Sequence, residues 1–287
     1  MEKNNDSESL IGQLDIPSPV VLVLIDGWGI APKYSGNVFT DLKLKNFPYL
    51  IKNYPLALLK EDKKSASERY KILGASGLLT KLIADSNLSQ INITESEKLL
   101  LTWHNFNGGR SHFLPKEELK VISSKTGNRQ HNFKQSLSEI VKLSLTSIKK
   151  NLHDFIILNL ANLDLVSATG DLEASKLAAK FLDKSLGKLV DAVLKQNGVL
   201  IISAAYGHAE SMINMATELP QSGITNNPTP FIIIGHQYQG RTIGLPDTLD
   251  DDLSLIEPVG DLSRVAPTIL KILKISQPDE IDAKSLI

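Results

Sequence analysis

The sequence predicts one α/β domain built on a doubly wound, mainly parallel central sheet with helices on both faces. Three observations carry that expectation. Four short apolar runs, Val20 to Ile25, Phe155 to Leu160, Gly198 to Ala204 and Pro230 to Gly235, have the length and β-branched content of strands buried on both faces. A long amphipathic stretch separates the second run from the third, giving strand–helix–strand order. Polar segments follow the runs at Asp26-Gly27, Asn162 to Gly170 and Ala204 to Glu210. Doubly wound sheets gather functional groups at such carboxyl ends of strands.

Taken in order, residues 1–15 are polar and mixed in charge, without the basic start and apolar core of a signal peptide. They are expected to form a flexible N-terminal tail, leaving 16–287 as a single domain. Val20 to Ile25 is the first strand, ended by Asp-Gly. Charged and polar segments interrupt the pattern at Glu61 to Ser67 and at Gly108 to Asn132. Lys134 to Asn151 reads as a helix. Between Asp171 and Gln196, Leu177, Phe181, Leu182, Leu186, Leu189, Val190 and Val193 recur at helical spacing. Lys176, Lys180, Asp183, Lys184 and Lys188 fall mostly between them. Leu262 to Ile275 reads as a closing helix, with Pro267 near its start, where proline is tolerated.

The chain has 287 residues, of which 42% are hydrophobic, enough for a sizeable core. Its net charge is -1 and the signs are interspersed along the sequence, so no nucleic-acid partner is expected. The absence of cysteine excludes disulfides and thiolate metal sites. The longest apolar run falls far short of the roughly 20 residues that span a bilayer. No membrane partner and a cytoplasmic location are therefore expected. There is no G-x-G-x-x-G or P-loop signature, so plain nucleotide binding has no motif behind it.

Six stretches together carry a family likeness. They are VVLVLIDGWGIAP with Gly36-Asn37, TESEKLLLTWHNFNGGR, LNLANLDLVSATGDLEAS, GVLIISAAYGHAES, TNNPTPFIIIG and GDLSRVAPTILKIL. In order and near-spacing they resemble the cofactor-independent phosphoglycerate mutases, members of the alkaline phosphatase superfamily. The resemblance covers roughly residues 19–287 and implies an alkaline-phosphatase-like fold. It implies a mechanism with a serine nucleophile and two manganese ions, which activate the nucleophile and offset phosphoryl charge. Asp26 and Asp164 match family metal-ligand positions that keep a carboxylate. KSASERYKILGASG resembles the nucleophile stretch and puts Ser67 at the nucleophile position, with Ser65 and Ser76 as competitors. Lys98 matches a lysine beside the nucleophile. Ligand positions are lost at Ala168, Ala205, Tyr206 and Ile224. The family inserts a second, substrate-binding domain after the serine stretch, whereas here Gly74-Ala75-Ser76-Gly77 leads almost directly into the helix and strand before Lys98.

Each of these residues also has a structural reading. Asp26 could end its strand and bond the Gly27–Gly29 turn, and Asp164 could cap a loop. Without metal Ser67 would be a solvated serine, and Lys98 an ordinary surface or ion-paired lysine. Trp28 and Trp103 suit packing, and His104 and His236 suit structural roles. His208 and Glu210 could form a rearranged single-metal site with Asp26. The aliphatic replacements suit a pocket that has filled in. The balance favours a degenerate, non-catalytic binding or assembly protein with an unidentified protein partner and no cofactor. The alternative is a residual metal-dependent phosphatase or phosphotransferase using Ser67 and Asp26 on a small phosphoester, with manganese as its metal.

Overall fold

The computed structural model describes residues 16–60, 65–125, 129–221, 223–243 and 252–287. The tail expected over 1–15 lies outside the described residues. Seven strands form one sheet: β1 (Val20–Leu24), β2 (Leu56–Leu59), β3 (Gln90–Glu95), β4 (Glu117–Ile122), β5 (Phe155–Asn159), β6 (Val199–Ser203) and β7 (Thr229–Ile234). Their spatial order is β2-β7-β6-β1-β5-β3-β4. The pairs from β6 through β1, β5 and β3 to β4 are parallel. The β2 and β7 pairings are antiparallel and form one margin. The four apolar runs are the four strands anticipated from sequence.

Every residue of β1, β5 and β6 is buried, and the pleat divides them between two cores. Val21 and Val23 join one cluster, under α1 (Asn46–Asn53), α4 (Arg129–Lys149) and α6 (Leu172–Lys195). Val20, Leu22 and Leu24 join the other, under α2 (Ala66–Leu73), α3 (Leu78–Asp85) and α7 (Val265–Ile272). This alternation makes the sheet doubly wound. No helix of the described residues is long and apolar enough to cross a membrane.

Two strands escaped the sequence reading. β4 falls inside the segment read as a polar interruption, because it is an edge strand with only Glu117 buried. β2 has only four residues. The closing helix begins as a short 3-10 turn over Leu262–Arg264 before α7.

Two local devices hold the helices. Asp183, buried within α6, accepts hydrogen bonds from the backbone N–H groups of Lys45, Asn46 and Phe47 and so caps α1 from outside. One turn further along α6, a Cβ on Gly187 would meet the Asn46 Oδ1 at 2.3 Å, so any larger residue would have to push the Asn46 side chain aside. The second device joins α2 to α3. Ala75, Ser76 and Gly77 follow one another with φ of 48°, 52° and 88°, and a Cβ on Gly77 would lie 2.4 Å from the Gly108 nitrogen. Only α3 and β3 intervene between this turn and Lys98.

Candidate functional site

The carboxyl ends of β1, β5 and β6 surround a buried polar cluster. Asp26, two residues beyond β1, is wholly buried. Its Oδ2 accepts from the Tyr70 hydroxyl at 2.5 Å and the Asn159 Nδ2 at 2.9 Å. Its Oδ1 has no hydrogen-bond partner among the described residues, and neither do Asn159 Oδ1 and Ser203 Oγ. Asn159 and Ser203 flank Leu24 in register on the two neighbouring strands. Burial raises the Asp26 carboxyl above its ordinary range, against the opposing pull of Lys98 and the Tyr70 hydroxyl.

Asp164 lies in the first turn of α5 (Asn162–Ser167) and anchors the second half of the cluster. Its Oδ2 receives the Lys98 ammonium at 2.6 Å and the Tyr206 hydroxyl at 3.2 Å. Lys98 also donates to the Tyr206 oxygen at 2.9 Å. The Asp164 Oδ1 lies 2.8 Å from His208 Nδ1. The Gly223 N–H donates to His208 Nε2, so the ring proton belongs on Nδ1, pointing at Asp164. Burial alone would raise Asp164, but the His208 hydrogen bond and the Lys98 charge outweigh it and hold the carboxyl at about 2. Burial would lower Lys98, and the charges of Asp164 and Asp26 reverse that and raise it. Burial, then the nearby carboxylates, push the Tyr70 and Tyr206 hydroxyls well above their usual value.

Glu210 ties the surrounding loops together. It accepts from the N–H groups of Gly29 at 3.1 Å and His208 at 2.7 Å, from Asn227 Nδ2 at 3.0 Å, and from the Thr225 hydroxyl. A Cβ on Gly29 would sit 2.3 Å from the Glu210 carboxyl carbon. The three residues considered for a rearranged metal site therefore do not converge. His208 turns to Asp164, Glu210 clasps backbone, and Asp26 faces Tyr70.

The structure corrects several readings. Lys98 is buried, at 7% exposure, and is ion-paired rather than a surface lysine. Asp164 bonds the Lys98, Tyr206 and His208 side chains rather than capping a loop, and Asp26 bonds Tyr70 and Asn159 rather than its own turn. Of the four positions where the family resemblance implies a lost ligand, only Tyr206 bonds into the cluster. Ala205 is buried in the core behind it, while Ala168 and Ile224 are exposed, so those two fill no pocket. Ser67, half-buried on α2, donates to Asn105 Oδ1 at 3.3 Å. Its competitors are placed differently: Ser65 caps α2 through a capping box with Glu68, and Ser76 is exposed in the left-handed turn. Trp28 packs against Phe39 and Phe47, and Trp103 against Phe113.

Sequence reasoning missed Tyr70 and Asn159. Tyr70 stands one helical turn beyond Ser67 on α2 and reaches Asp26, whereas Ser67 bonds Asn105. Asn159 is the only polar residue of β5, and a polar side chain ending an apolar strand was the available signal.

Around Asp164 the donor set does not fit a divalent metal. The groups between the two carboxylates are an ammonium and two hydroxyls that donate to them, and an ammonium has no lone pair to ligate a cation. Among the described residues no group of three or more His, Asp and Glu side chains could hold a metal ion.

The sequence profile of the Metalloenzyme superfamily matches residues 18–277. The 2,3-bisphosphoglycerate-independent phosphoglycerate mutase of Ehrlichia ruminantium (strain Gardel) is 35% identical over 213 residues, covering 74% of this chain and 40% of the relative. That of Acetivibrio thermocellus is 38% identical over 206 residues, covering 71% and 37%. The chain thus spans less than half the length of these curated relatives. A crystal structure of Leishmania mexicana phosphoglycerate mutase at low cobalt concentration superposes with a TM-score of 0.59 at 25% identity, over 71% of this chain and 38% of that one. The alkaline phosphatase of the Antarctic bacterium TAB5 gives 0.58 at 12% identity, over 91% and 99%, a likeness of fold.

Proposed function

The chain belongs to the metalloenzyme superfamily, and from that premise we propose that it is a phosphoglycerate-mutase-like domain that acts without catalysis, as a cytoplasmic binding or assembly protein. One observation carries this reading. The Lys98 ammonium, 2.6 Å from Asp164 and 2.9 Å from the Tyr206 hydroxyl, supplies the positive charge that the retained carboxylates would otherwise seek from a metal. A divalent ion would have to displace an ion pair that is already desolvated and hydrogen-bonded, and would meet the ammonium's charge.

The test is a coupled assay with manganese and 3-phosphoglycerate, beside a calorimetric manganese titration. Neither turnover nor saturable binding is expected. Turnover that vanishes in Ser67→Ala would overturn the reading.

A second reading, a residual metal-dependent phosphatase using Ser67 and Asp26, draws on the buried Asp26 Oδ1 that lacks a partner. Metal analysis of the purified protein separates the two. A stoichiometric divalent ion, lost in Asp26→Asn, supports the phosphatase.

A further inference from the structure

The lysines that looked interspersed in sequence are not interspersed in the fold. A groove of about 310 Å³ runs between α4 and α6 on the outer face of the molecule. Lys142 and Lys149 from α4 and Lys188 from α6 line it, and all three are exposed. Their ammonium groups have no ion-pair or hydrogen-bond partner among the described residues. The exposed acids of the same helices, Glu139, Glu173 and Asp191, do not line it. Val141, Leu145 and Phe181 give it an apolar strip, beside the hydroxyl side chains of Ser138, Thr146 and Ser185. Lys134 extends the charge past one end, its Nζ 5.9 Å from the Phe181 ring centroid.

We propose that this groove is a docking surface for an acidic, amphipathic helical segment of a partner protein. Lys142 and Lys149 stand seven residues apart on one helix, which separates them by about 10 Å along the axis. That distance is too long for a single phosphate to bridge. It matches carboxylates placed two turns apart on a second helix. The apolar strip then receives that helix's hydrophobic side chains, an arrangement seen whenever an amphipathic helix lies in a groove. A nucleic-acid backbone would leave Phe181, Leu145 and Val141 facing phosphates, and a flat anionic bilayer would not enter a concavity. This gives the binding reading a surface and a class of partner. It shares no residue with the Asp26–Asp164 cluster, so turnover or metal uptake would overturn that reading and leave the groove untouched.

The test is fluorescence anisotropy with a labelled helical peptide bearing Glu and Leu at alternate i, i+3 and i+4 positions. Saturable binding is expected at low salt, weakening several-fold by about 300 mM as the Debye length shortens. The triple variant K142E/K149E/K188E should bind at least about tenfold more weakly, with an unchanged circular-dichroism spectrum because the three side chains are exposed. A peptide of the same composition in scrambled order should also bind about tenfold more weakly. Phe181→Ser should weaken the patterned peptide and not the scrambled one. Absence of saturable binding, equal binding by the triple variant or the scrambled peptide, or tighter binding of a single-stranded oligonucleotide or of vesicles rich in phosphatidylserine would each overturn the proposal.

Discussion

Acidification from about pH 5 to pH 2 should remove about 2 kcal/mol of stability through Asp164 alone. Its carboxyl, ordinarily at 3.8, is held at about 2 in the fold, and each pH unit between those values is worth about 1.4 kcal/mol. A depressed carboxyl contributes stability that is complete above the unfolded value and is lost as the pH falls through the folded one, so the loss belongs between about 3.8 and 2. Asp26 works in the opposite sense and in a different window. Its raised carboxyl favours the fold below 3.8, and that contribution fades as the pH climbs through its folded value. Below pH 3.8 Asp26 is therefore protonated in both states and leaves the Asp164 effect exposed. The assay is a set of urea unfolding titrations between about pH 2 and 5, followed by far-ultraviolet circular dichroism on the wild type and on Asp164→Asn. The quantity of interest is the difference between the two stability–pH slopes below pH 3.8, where Asp26 no longer titrates and carboxylates remote from Asp164 contribute equally to both. Parallel slopes below pH 3.8 would refute the paired, charged Asp164 described above.

Three further outcomes follow from the same contacts. Lys98→Met removes one partner of a buried ion pair and should cost about 3–5 kcal/mol, of which the Lys98→Met/Asp164→Asn double variant recovers a part, as a double-mutant cycle measures. Tyr206→Phe deletes the hydroxyl that accepts from Lys98 and donates to Asp164 and should cost about 1–3 kcal/mol in urea titration. Gly77→Ala drives a Cβ into the Gly108 backbone and should lower the melting temperature, while Ala75→Gly, which relieves a left-handed residue, should raise stability by about 1 kcal/mol.

The four apolar strands could be read from sequence because their burial on both faces leaves no polar residue to blur the pattern. β4 was hidden because an edge strand needs only occasional apolar positions, and Glu118, Lys120 and Val121 face solvent or its margin. Family likeness pointed to Ala168, Ala205 and Tyr206 as substituted positions, but could not show where in the fold each side chain would lie. Lys98 and Tyr206 stand 108 residues apart, and only the sheet order brings them together over Asp164. Alanine at 168 gives no sign in the sequence that the position opens to solvent. Tyr70 was invisible because nothing in the serine stretch marks which side of α2 faces Asp26. The lysine groove was hidden for a related reason: charges taken from two helices far apart in sequence average out along the chain.

The turn between α2 and α3 is a joint under tension. Two of its three left-handed residues, Ala75 and Ser76, are not glycine, and each carries a penalty of about 1–2 kcal/mol that the flanking helices hold in place. By the resemblance described above, the family's inserted domain would fall at this turn. A chain closed here by a strained splice, rather than by a relaxed loop, has an opening point built into it. Cutting the backbone beside the exposed Ser76, or lengthening it with a flexible insert, releases the strain without unpairing a strand. New termini or a guest domain belong at this seam before any other place in the molecule.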